Sequence, residues 1–91
     1  MNELEKMRQK IEFIDQELAS LFEQRMQVVK EVAHYKSQNN LPILDSHRES
    51  YLIQKNSAYL KDSTILDYYQ RWLLETMKLS KEYQQELLQN N

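Results

Sequence analysis

A chain of 91 residues has room for one domain with a single core, expected to span residues 1–91, and is too short for two. Hydrophobic residues make up 41% and charged residues 29%, which excludes a disordered chain, and zero glycine with a single proline leaves strong helix formers dominant, so the fold class is all-α. A formal net charge of −2 gives no general basic field for nucleic acid or an anionic membrane surface, and the absence of cysteine excludes disulfides, thiolate metal ligands and a thiol nucleophile.

The first ten residues are polar and charged, without the apolar stretch of a signal peptide, and no run approaches a membrane span, so a cytoplasmic location is expected. Starting at Leu4, the apolar residues Leu4, Met7, Ile11, Ile14, Leu18, Leu21, Val28, Val32 and Tyr35 recur in steps of three and four, the signature of a helical seam. Arg25 alone breaks it, where an apolar residue belongs. No breaker precedes residues 37–42, so the helix should run about 35 residues and roughly 50 Å. A compact domain of this size has a radius of gyration of only about 12 Å. Such a helix cannot be covered by its own chain, which predicts a partner, most simply a second copy.

Residues 37–42 read as a polar loop closed by Pro42, after which Asp45 is positioned as the N-cap of a second helix over residues 46–56. A further cap signal, Asp62-Ser63-Thr64, opens a third helix reaching residue 88. Its seam reads Leu66, Tyr69, Leu73, Thr76, Ser80, Tyr83 and Leu87, and two of those positions are polar.

Polar groups therefore stand where a helical core should be: Arg25 in the first seam, Thr76 and Ser80 in the third, and Gln84 beside it. Arg8 and Lys36 flank the first seam at other heights, so three cations edge one apolar channel. Guanidinium groups bind carboxylates through bidentate charge-assisted bonds, and the arrangement suits a small carboxylate ligand. Plainer readings stand beside this one. Arg25 can pair with a carboxylate of a neighbouring helix or extend its charge to water. Lys36 can serve the helix C-terminal dipole, Thr76 and Ser80 can bond back to their own preceding turn, and Asp45 is accounted for as a cap. His34 and His47 lack the spacing of a metal pair and are expected at the surface, and the aromatic group Tyr68, Tyr69, Trp72 and Tyr83 is expected in the core. Neither metal nor cofactor is expected.

Taken in order, Arg8-x2-Ile11-x2-Ile14-Asp15, Arg25, Lys36, Pro42-x2-Asp45-x2-Arg48-Glu49 and Ser80-x3-Gln84 resemble the all-helical class of chorismate mutases along nearly the whole chain. The resemblance implies three helices per chain, long, short and long, in an intertwined homodimer with two shared sites. It implies an isomerase of the shikimate pathway, in aromatic amino acid biosynthesis, that rearranges chorismate to prephenate without a cofactor. Carried over by position, Arg25 and Arg8 of the other chain would clamp the two substrate carboxylates, with Arg48 and Ser80 assisting. Lys36 and Gln84 would donate to the ether oxygen, Glu49 and the backbone near Asp45 would hold the ring hydroxyl, and Val32, Leu52 and Met77 would pack on the carbon skeleton.

Two other functions compete. An isochorismate–pyruvate lyase shares the fold and the cationic clamp, although the elements at Asp45 and Ser80 look more like the mutase. A non-catalytic dimerisation or regulatory module would use Arg25 only to set register. With no residues left for a second activity, a monofunctional chain is expected, its regulation open to a partner enzyme of the same pathway. Ordering of the polar loop next to Lys36 on substrate binding is a further expectation.

Overall fold

The structure, a computed structural model, describes residues 2–89 and contains only helices among them. Helix α1 spans Glu3–Gln38, α2 spans Ser46–Ser57, a short 3₁₀ turn covers Ser63–Ile65, and α3 spans Leu66–Gln89. The all-α class and the long, short, long order follow the sequence pattern.

Local chemistry explains each boundary. The Asn2 side chain accepts from the Glu5 amide at 2.8 Å, and Glu3 and Glu5 place negative charge at the positive end of the α1 dipole. At the other end α1 runs two residues into the expected loop. Asn40 takes the left-handed conformation (φ 54°), and the Leu41 amide returns to the Lys36 carbonyl at 2.9 Å. This six-residue closure normally uses glycine; here asparagine supplies it, and the helix stops there rather than at Ser37. Asp45 caps α2 as expected, its Oδ1 accepting from the Arg48 amide at 3.0 Å. Asp62 caps a 3₁₀ turn that leads into α3, accepting from the Thr64 amide at 3.0 Å and the Thr64 hydroxyl at 2.6 Å.

Helix α3 is the centre of the chain. It packs against both α1 and α2, whose backbones lie closer to α3 than to each other. From its second turn onward it carries the buried line Leu73, Met77, Ser80 and Gln84. The seam thus passes through Met77 and Gln84 rather than Thr76 and Tyr83 as read from the sequence, because α1 and α2 flank α3 on two sides and the covered stripe follows the angle between them. Only Ala33, Leu73 and Met77 are buried apolar residues among those described. Tyr69 stacks on Trp72 at 5.9 Å, yet Trp72 and Tyr68 are exposed, so that part of the expected aromatic core is uncovered in the single chain.

The first seam is uncovered as well. Leu4, Met7, Ile11, Ile14, Leu18, Leu21, Val28 and Tyr35 are all about half exposed or more. The molecule measures 55 × 28 × 15 Å with a radius of gyration of 16.6 Å, well above the roughly 12 Å of a compact domain of this length. His34 and His47 lie at the surface. No described helix is long and apolar enough to cross a membrane.

The hydroxyl and amide of Thr64 hold the Asp62 carboxyl below its ordinary range. A depressed folded-state value means that the cap contributes fully above the ordinary carboxylate pKa and fades as pH falls below about 4. Asp62→Ala should therefore lower the thermal midpoint at neutral pH, with the gap from the unaltered chain narrowing as pH falls below about 4. A gap that stays constant over that range in a thermal melt series would contradict this account of the cap.

Candidate active site

One cleft of about 300 Å³ opens where the C-terminal half of α1, the first turns of α2 and the second half of α3 converge. Three- and four-residue helical steps put Arg25, Val28, Val29, Val32 and Lys36 on one face of α1. The loop residue Ile43, the cap Asp45, and Arg48, Glu49 and Leu52 come from the start of α2, while Met77, Ser80, Lys81 and Gln84 come from α3. Of the residues given a polar role at the site from the sequence, all but Arg8 line this cleft, whereas Thr76, the other polar seam residue of α3, lines a separate groove. The three apolar residues expected to face the carbon skeleton, Val32, Leu52 and Met77, line it too.

Arg25 reaches across from α1 to α3, where its Nη1 donates to Ser80 Oγ. The Ser80 hydroxyl donates its own proton to the Thr76 carbonyl at 2.9 Å, which leaves a lone pair directed at Arg25. The back-bonded reading of Ser80 is thus correct and incomplete, since the same hydroxyl also orients the guanidinium. The Thr76 hydroxyl bonds back to the Trp72 carbonyl at 2.9 Å, as a serine or threonine within a helix commonly does. No carboxylate among the described residues forms an ion pair with Arg25, and partial burial pushes its guanidinium below the ordinary value. Arginine titrates so far above neutrality that the group stays charged. The result is a half-buried cation without a counter-ion, and such a group is costly until an anion arrives.

Lys36 is half-buried, not a freely solvated helix-end lysine. Its Nζ donates to the Ile43 carbonyl at 2.9 Å, which ties the α1–α2 loop to the helix and fixes the ammonium at the rim of the cleft with two protons unused. Gln84, only 7% exposed, donates from Nε2 to the Ser80 carbonyl at 3.3 Å, and its Oε1 has no donor among the described residues. A buried amide left unsatisfied by its own chain marks a place where a ligand or water completes the bonding. Arg48 lies over the Tyr51 ring at 5.5 Å, and Asp45 is engaged as the α2 cap.

Lys81 was not singled out by sequence. It follows Ser80 directly and precedes Gln84 by three, so helical geometry puts it on the same side, but a lysine on an amphipathic helix ordinarily faces water. Here its Nζ meets Glu49 Oε1 at 2.7 Å. With it, the cleft holds four cations and two carboxylates, an excess of two positive charges in a chain whose formal net charge is −2. The local field therefore selects a small dianion, and the apolar walls suit a carbon skeleton between two anionic ends.

Arg8 is exposed on α1, seventeen positions before Arg25 and so about 25 Å away along the axis at 1.5 Å per residue. It cannot enter the cleft of its own chain. Among the described residues no group of three His, Asp or Glu side chains comes together as metal ligands.

The comparison with known proteins agrees with this chemistry. The family model for chorismate mutase type II matches residues 7–85, a span that contains Arg8 and all the cleft residues named above. A chorismate mutase of Methanocaldococcus jannaschii is 27% identical over 96 residues, an alignment that covers the whole of this chain and 97% of that protein. No solved structure matches the chain. Because the family match runs over most of the sequence and takes in every residue of the cleft, the chain belongs to the chorismate mutase type II family.

Proposed function

We infer that this protein is an isomerase that rearranges chorismate to prephenate, in cytoplasmic aromatic amino acid biosynthesis, and that the reaction takes place in the cleft between α1, α2 and α3. The observation that carries this reading is the half-buried Arg25 guanidinium, fixed by Ser80 and without a carboxylate among the described residues. A substrate carboxylate is the missing counter-ion.

In this rearrangement one carbon–oxygen bond breaks as one carbon–carbon bond forms within the same molecule, so no group passes to the protein. Two tasks remain for the side chains. One is to hold a flexible dianion in the compact shape that brings the reacting carbons together. Arg25 and Arg48 anchor the carboxylate end, and Val32, Leu52 and Met77 press on the skeleton. The other is to stabilise negative charge growing on the ether oxygen. Lys36, with two free protons, and Gln84, with one amide proton not used within α3, are the donors. Glu49 accepts from the ring hydroxyl, close to the start of α2.

The site works as half of a pair. A homodimer is supported by the exposed α1 seam and by an apolar groove of about 580 Å³ between α1 and α3, walled by Leu18, Leu21, Phe22, Trp72 and Leu79. Arg25 lines this groove as well as the cleft, so a helix of a second copy seated there would run past the mouth of the active site. Its Arg8, stranded in the single chain, is then the natural second clamp for the dianion.

Incubation of the purified chain with chorismate should yield prephenate, and Lys36→Ala should lower kcat by about 10²–10³, the typical loss of a donor to a developing oxyanion. Arg25→Ala should abolish most of kcat/KM; release of pyruvate from isochorismate as the faster reaction would contradict the assignment. The neutral Gln84 amide donates without taking up a proton, so a Gln84→Glu variant should acquire activity that rises as pH falls, because only the protonated acid donates. A pH–rate profile unchanged by that substitution would remove Gln84 from its role.

A further inference from the structure

Lys81 is the one cation of the cleft that has no task in the mechanism above. Three ion pairs join described residues. Lys6–Glu3 at 3.4 Å and Arg71–Asp67 at 3.1 Å are local pairs within one helix, with side chains 54–81% exposed, and pairs of this kind contribute little. Lys81–Glu49 differs from both. It is the shortest at 2.7 Å, it crosses from α3 to α2, and its side chains are only 31% and 27% exposed. A partly desolvated, charge-assisted bond between two elements fixes geometry as well as charge.

Its location gives it a consequence for the ligand. Glu49 stands one turn into α2 from Asp45, and both Glu49 and Lys81 face the cleft. Left alone, a glutamate carboxylate there would repel the dianion that the cleft otherwise attracts, and its side chain would rotate freely. We propose that Lys81 is a positioning residue that neutralises Glu49 and holds it by Oε1, so that Oε2 is offered to the substrate's ring hydroxyl. This rests on the chorismate reading of the cleft. Lys81 acts through Glu49 and does not itself meet the substrate.

The proposal is tested by a kinetic cycle on the full chain, with helicity checked by circular dichroism. Lys81→Met should raise KM for chorismate about ten-fold or more, the loss expected for a bond to a charged group, and leave kcat within about threefold. Lys81→Arg should restore most of the affinity. In a Glu49→Gln background the same Lys81→Met change should have less than about a threefold effect, because the carboxylate it serves is gone. If the methionine variant loses helicity, Lys81→Gln takes its place in the cycle. An unchanged KM in a folded Lys81→Met chain overturns the proposal, and so does a full loss that persists in the Glu49→Gln background, which would mean that Lys81 touches the substrate directly. An unaltered chain that fails to turn over chorismate overturns the functional reading itself, so the two failures are distinct.

Discussion

The organisation of this protein depends on a guanidinium placed where a helical seam calls for an apolar side chain. Arg25 lies in the middle of α1, is held by Ser80 of α3, and forms no ion pair with a carboxylate of its own chain among the described residues. Burying part of a cation without a counter-ion opposes folding, and the apolar contacts between α1 and α3 have to offset it. In return the charge is fixed and partly desolvated before any ligand arrives. An anion that enters this cleft meets a group that needs no reorganisation, the condition under which electrostatic contributions to binding and catalysis are largest.

The surrounding residues extend the same arrangement. Lys36 is fixed by a loop carbonyl and Gln84 by the carbonyl of Ser80, while Glu49 is paired with Lys81. Each polar group is held by one internal bond and retains further capacity for a ligand. The cleft is therefore cationic by two charges in an acidic chain, and dianion selectivity is a local property that overall composition conceals. Membership of the chorismate mutase type II family fits this economy, because an internal rearrangement asks for positioning and oxyanion stabilisation and for no nucleophile.

Much of this was legible in the sequence. The three- and four-residue steps of α1, the caps at Asp45 and Asp62, and the misfit of Arg25 gave the helices and the chemistry, since capping and periodicity are local properties. What depends on packing was less accessible. The end of α1 is set by the left-handed Asn40, a conformation asparagine tolerates but does not announce. The buried stripe of α3 shifted to Met77 and Gln84 because two helices flank it, and no single-helix pattern encodes the angle between them. Lys81 was passed over for the same reason: only the neighbouring helix turns a surface lysine into a cleft residue. Tyr68 and Trp72, expected in the core, are exposed, which is what an incomplete protomer would show.

The proposed shared site requires Arg25 of one copy and Arg8 of another to clamp the dianion together. Mixing, unfolding and refolding together an Arg8→Ala chain and an Arg25→Ala chain, each nearly inactive alone, tests it directly. Random pairing makes half of the dimers mixed, each with one intact site, so activity should recover to about one quarter of the unaltered protein's. No recovery, with mixed dimers demonstrated by mass, would mean that the two arginines do not meet across chains, and the shared site would have to be abandoned.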